Sequence, residues 1–133
     1  MIATIKNPHI QTLCKLAQED ESTLQFPLPD QIYGFHAQQS CEKLFKALIA
    51  ANNRAYPFTH SLEKLSDILM ECGESLPSMP YDPIQLEPFA VELRYDLGGT
   101  LSDEEKNEIL ESLVILREYV LERVLELEKR ATP

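Results

Sequence analysis

The segment from Ser102 to Lys129 constrains the fold most. Ser102-Asp103-Glu104-Glu105 opens it as a capping box: a serine hydroxyl can take the N–H three residues on, Glu105 can reach back, and acids fill the first turn. Ile109, Leu110, Leu113, Leu116, Val120, Val124 and Leu127 then follow at helical spacing, and Val114, Ile115, Leu121 and Leu125 widen the apolar arc well past one stripe. A surface helix needs only one apolar face. This width calls for a central place in a bundle or for cover by a second subunit. Glu118, Glu122 and Glu126 repeat every four residues, a row of like charge that adds no stability. They read as a solvated face, or as a surface for a basic partner.

The rest of the chain is helical in pattern. It has 4 glycines and no long period-two alternation. Asn7-Pro8 reads as a cap and first helical residue before Ile10, Leu13, Leu16 and Ala17, with the acidic stretch Glu19-Asp20-Glu21 ending the helix. Thr23 to Pro29 is a loop, and Asp30 can cap a second helix with the stripe Ala37, Cys41, Leu44, Phe45, Leu48 and Ala51, ending at Asn52-Asn53. A third helix is predicted from about Thr59 to Cys72, with Gly73 as its stop. From Asp82-Pro83, Pro88 allows either a kinked helix or one that starts near Glu87 and runs to Gly98-Gly99. With 133 residues, the expectation is one domain over 1–133, all-α, an up-and-down antiparallel bundle of four or five helices.

Net charge is -10, which sets the chain as a whole at a disadvantage for nucleic acid, although a local basic groove remains compatible with that sum. No apolar run approaches the ~20 residues of a membrane span. Met1 to Asn7 hold one Lys and no signal-like apolar stretch, so a cytoplasmic location is expected. Cys14, Cys41 and Cys72 are odd in number, widely spaced and without Cys-x-x-Cys, the pattern of buried free thiols. No metal or other cofactor is expected.

The polar residues that stand out are Phe35-His36-Ala37-Gln38-Gln39-Ser40-Cys41-Glu42-Lys43 and then Arg54-Ala55-Tyr56-Pro57-Phe58-Thr59-His60-Ser61-Leu62. At about 100° per residue His36, Gln39 and Lys43 fall near one line of the second helix. Arg54 would join that line about 27 Å from His36 if the helix lasted so long, too far for one small site within a subunit. His36 and Gln39 are either buried groups bonded to a neighbouring helix or contacts for a phosphate or base. His60 reads as a helix-start residue bonding nearby backbone, and Arg54 as a cation at a helix C-terminus.

These residues resemble the HEPN domain family (higher eukaryotes and prokaryotes nucleotide-binding). Its helix with a Phe-His-Ala-Gln-Gln-x-x-Glu-Lys pattern is matched by Phe35 to Lys43. Its Tyr-Pro-x-Thr-His-x-Leu connection is matched by Tyr56, Pro57, Thr59, His60 and Leu62, and its Arg-Tyr pair by Arg94-Tyr95. The resemblance runs from about Asp30 to Tyr95 and identifies most closely the branch associated with nucleotidyltransferases. It implies a homodimer, a possible nucleotidyltransferase partner, and a nucleotide or RNA as ligand. His36, Gln39, Lys43, His60, Arg94 and Tyr95 are the candidate nucleotide- or partner-binding residues; for Arg94-Tyr95 the preferred reading is structural, a pair with Glu42 or Glu87 packed in the bundle.

Some members of the family are metal-independent endoribonucleases of toxin–antitoxin type, with an Arg and a His separated by four to six residues and two subunits combining their motifs. Arg54 and His60 fit that spacing. There His60 would move a proton at a ribose hydroxyl, and Arg54 would stabilise charge building on the phosphate. The chain departs from that pattern at Ala55, where active members usually carry a polar residue, and Pro57 lies between the two as in the nucleotidyltransferase-associated branch. A non-catalytic binding module is therefore the leading expectation, and the ribonuclease with Arg54 and His60 as catalytic pair is its alternative.

Overall fold

The computed structural model describes residues 1–90 and 99–131. They form four α-helices, α1 (Pro8–Thr23), α2 (Asp30–Ala51), α3 (Leu62–Glu71) and α4 (Asp103–Ala131), with 3-10 helices at Ile2–Thr4 and Pro83–Ala90. The all-α bundle read from the sequence is present, and no described residue lies in a strand. The helix expected to follow Pro88, with Arg94 and Tyr95, lies outside the described residues.

α2 is the central element, packed against α1, α3, α4 and the second 3-10 helix. Ala37, Cys41, Leu44, Phe45, Leu48 and Ile49 are buried along it. Gly34 is what lets the 3-10 helix close on this face: a Cβ there would stand 2.1 Å from the Phe89 ring. α4 rests chiefly on α2 and only lightly on α1. Its wide arc is used unevenly: Ile109, Leu113, Leu116, Val120 and Val124 are buried, and Leu110, Val114, Ile115 and Leu125 only half-buried.

Side-chain bonds fix the helix directions. Ser40 Oγ donates to the Ala17 carbonyl at 2.9 Å and His36 meets Asp20, so numbers rise on α1 as they fall on α2 and the two are antiparallel. Glu128 at the end of α4 accepts the Lys6 and Asn7 N–H groups, while Arg117 pairs with Glu21, which makes α4 antiparallel to α1. α3 runs the same way as α2, which corrects the expected up-and-down antiparallel order for this pair. His60, just before it, meets Glu42, and Glu74, just after it, meets Asn52 at the C-terminal end of α2. The connection from Arg54 to His60 therefore runs back along α2.

The helix ends follow local chemistry. Asn7 caps α1 through the N–H groups of His9 and Ile10, and the Ser102–Glu105 capping box opens α4. α2 ends in a Schellman motif: Asn53 is left-handed (φ 59), its N–H bonds Ala50, and the Arg54 N–H bonds Ile49. Gly73 (φ 87) closes α3 likewise, with the Glu74 N–H on Leu69.

Four local expectations are corrected. α1 continues through its acidic stretch to Thr23, with Asp20 turned inward and Leu16 exposed. Asp30 is the first helical residue and no cap; its carboxylate takes the Leu101 N–H and pairs with Lys106, tying the starts of α2 and α4. α3 starts at Leu62 and not at Thr59, because Ser61 accepts the Lys64 N–H and the Thr59 hydroxyl accepts that of Ser61. Pro83–Ala90 form a 3-10 helix rather than the first part of a kinked α-helix: proline lacks the N–H and crowds the preceding turn.

Burial pushes the Cys41 thiol up to about 12 and the Cys14 thiol to about 11, as befits inert core groups, whereas Cys72 is only half-buried. No helix of the described residues is long and apolar enough to cross a membrane.

Glu74, with only 1% of its side chain exposed, joins three helices: Arg123 donates to both of its oxygens, at 2.8 and 2.9 Å, Tyr119 donates at 2.7 Å and Asn52 at 3.1 Å. The Arg123 bonds, against the opposing cost of burial and with help from Tyr119 and Asn52, lower its carboxyl from 4.5 to about 2. Between those values the unfolded chain takes up a proton that the folded chain refuses. The contribution is therefore complete above pH 4.5 and is lost as pH falls toward 2. Glu74→Gln is expected to cost about 3 kcal/mol at pH 7, and urea melts should show its stability falling less steeply than wild type below pH 4.5. Parallel pH profiles would contradict this account of Glu74.

Candidate functional site

The outward stripe of α2 carries Phe35, His36, Gln39, Lys43 and Lys46, all half-buried. Two inward-turned carboxylates organise it. The first is Asp20 of α1, which takes His36 Nδ1 at 2.9 Å on one oxygen and the Lys43 ammonium on the other. His36 and Lys43 do lie on one line of α2, and what they share is a structural anchor between two helices.

The second is Glu42 of α2, whose side chain is 5% exposed. Its Oε1 accepts Gln38 Nε2 at 3.0 Å, Gln39 Nε2 at 3.5 Å and His60 Nδ1 at 2.9 Å, and its Oε2 pairs with Lys46 at 2.9 Å. Gln38 Nε2 also donates to the His60 carbonyl at 3.1 Å. Gln39 thus bonds within its own helix, through Gln38 and Glu42, rather than to a neighbouring one. Burial works to raise the Glu42 carboxyl, but the hydrogen bonds from Gln38, Lys46 and His60 and the Lys46 charge outweigh it, and the group is held below its ordinary value. An ionised carboxylate accepts only, so His60 must carry its proton on Nδ1 when neutral, leaving Nε2 as an acceptor. The His60 side chain is 60% exposed.

The loop before α3 is anchored at several points. Tyr56 stacks on His9, its hydroxyl 2.6 Å from His9 Nε2, with the Lys46 ammonium 5.4 Å above its ring. Phe58 is fully exposed, 6.5 Å from the His60 ring. Glu87 of the 3-10 helix accepts from Ser61 Oγ and from the Glu63 N–H, both at 2.9 Å, and so holds the start of α3. Glu42 and Glu87, the two partners weighed for Arg94, thus serve His60 and α3; Arg94 and Tyr95 lie outside the described residues.

Arg54 does not continue the α2 line, since the helix ends at Ala51. Its guanidinium bonds Glu71, the last residue of α3, at 3.1 Å. His60 precedes the first residue of that helix, and its 10 residues span about 15 Å. Within one chain the candidate catalytic pair is therefore set at opposite ends of α3. His60 and Gln39 are brought together on Glu42, His36 and Lys43 on Asp20. The organising acids themselves were missed as site residues. Asp20 had a signal, since it stands three residues beyond Ala17 in the stripe Ile10, Cys14, Ala17 and so falls on the buried face. A cleft of about 690 Å³ lies elsewhere, lined by Met1, Ile2, Gln18, Arg117, Leu121 and Glu122 among others, and by none of the sequence-predicted site residues. No group of three or more potential metal ligands occurs among the described residues.

The family model described as HEPN domain matches residues 31–127. No curated protein and no solved structure matches the chain.

The tautomer of His60 tests the geometry of the site. Nitrogen-15 NMR at mildly alkaline pH should show His60 protonated on Nδ1 in the wild type. In Glu42→Gln, whose amide can donate as well as accept, the two tautomers should mix. A wild-type His60 protonated on Nε2 would overturn the assignment.

Proposed function

The chain belongs to the HEPN domain family, and we propose that it is a non-catalytic module that binds a nucleotide, or a nucleotidyltransferase partner, as a homodimer. Family membership carries the coarser statement, a nucleotide-binding or ribonuclease-type module. The observation that carries the finer one is the separation of Arg54, on Glu71, from His60, on Glu42, by the length of α3. General acid–base work at a ribose needs a phosphate-stabilising cation within hydrogen-bond reach of the same phosphodiester, and Arg54 does not offer that to the His60 of its own chain. His36 and Lys43 are engaged in holding α1 to α2. His60, with Gln39 beside it on Glu42, remains the outward contact for a ligand. The half-buried Leu110, Val114, Ile115 and Leu125 of α4 are apolar surface that a second copy would cover.

One observation favours the alternative, an endoribonuclease of toxin–antitoxin type. Glu42 holds the His60 ring so that Nε2 faces outward as an acceptor, the orientation a general base requires. A second subunit would then have to bring its Arg54 to this His60.

Purified protein is expected to sediment as a dimer, to gain thermal stability with a nucleoside mono- or triphosphate, and to leave RNA intact over long incubation. His60→Ala should remove the thermal gain. At nucleotide a hundredfold above Kd that gain corresponds to about 2.7 kcal/mol. RNA cleavage lost in both His60→Ala and Arg54→Ala would establish the alternative. A monomer with no thermal response to any nucleotide would remove the leading reading.

A further inference from the structure

We propose that the Phe58 ring is a stacking platform for an unpaired nucleobase, with the His60 imidazole beside it supplying a polar contact to the same nucleotide. The inference rests on the nucleotide-binding reading and names the part of the ligand this site grips.

Three observations carry it. First, the ring is fully exposed, although the loop that bears it packs Tyr56, two residues earlier, against His9. The loop thus half-buries one aromatic and presents the other. Second, the presentation is held in place. Pro57 fixes one backbone angle before Phe58. On the other side the Thr59 hydroxyl takes the Ser61 N–H at 3.1 Å, and His60 is held by its ring on Glu42 and by its carbonyl on Gln38. A platform whose backbone is already ordered loses little entropy on binding.

Third, the surroundings are polar. The His60 ring stands 6.5 Å away at a 56° tilt, and Gln39 and Lys46 share the Glu42 carboxylate with His60. A protein hot spot sits at the apolar centre of a desolvated patch. A single π-face flanked by hydrogen-bonding groups suits a base, which has a flat face and polar edges. The net charge of -10 does not by itself prevent this: Glu42, the acid that holds His60, is paired with Lys46, and Glu87 is occupied by the Ser61 hydroxyl and the Glu63 N–H.

The test uses the full chain and fluorescein-labelled eight-nucleotide oligo(U) and oligo(A), read by anisotropy. Phe58→Ala should weaken binding about tenfold, with its melting temperature unchanged because the ring is exposed. Phe58→Trp should keep or improve affinity, and Phe58→Leu should resemble Ala. Wild-type affinity in Phe58→Ala or in Phe58→Leu would overturn the inference and leave nucleotide binding at His60 standing. Conversion of a dimer to a monomer by Phe58→Ala would overturn it too, making the ring a subunit contact. Thermal stabilisation by mononucleotides with no oligonucleotide bound would refute the platform alone. No response to either probe would remove the nucleotide-binding reading as well.

Discussion

A carboxylate that leaves water must find donors or lose its charge, and the arrangement of this molecule around α2 follows from how Glu42 does so. It takes one lysine and two glutamines from its own helix, and the imidazole of His60 from a loop. The last of these decides the topology: for His60 to reach Glu42, the connection after α2 must run back along that helix before α3 begins. α3 then travels beside α2 in the same direction and delivers Glu74 to Asn52, Tyr119 and Arg123 at the other end. Asp20 does the same work between α1 and α2. The core supplies the general affinity of helix for helix, and three inward carboxylates set the register.

Much of this was legible before the structure. Asn7-Pro8, Asn52-Asn53, Gly73 and the Ser102 capping box mark helix ends by chemistry confined to a few adjacent residues, and each stands where the sequence puts it. The start of α3 was less legible because Thr59 and Ser61 both have capping side chains, and only the partners, Lys64 and Glu87, choose Ser61. The 3-10 helix at Pro83–Ala90 eluded a reading that offered two α-helical options for two prolines.

At the site, the line of His36, Gln39 and Lys43 was visible from helix geometry, and so was the choice between structural partner and ligand contact. What occupied these groups was not visible, because Asp20 is 16 residues from His36 and Glu42 is 18 from His60. Contacts at that separation depend on how helices pack. The same limit hid the most consequential placement, Arg54 on Glu71. Spacing alone made Arg54 and His60 a plausible pair; the course of the loop sets them about 15 Å apart along α3.

What faces solvent after these internal bonds are made is therefore a narrower site than the motif suggests: the Nε2 edge of His60, with Phe58 and Gln39 beside it. The central claim is that ligand binds there. The most direct measurement is a chemical-shift titration of isotope-labelled protein with a nucleotide. The account predicts the largest shifts at the backbone amides of Phe58, Thr59 and His60 and at the Gln39 side-chain amide, with Arg117 and Leu121 unmoved. Shifts centred on the cleft formed by the N-terminus, α1 and α4, with Thr59 and His60 unmoved, would contradict it.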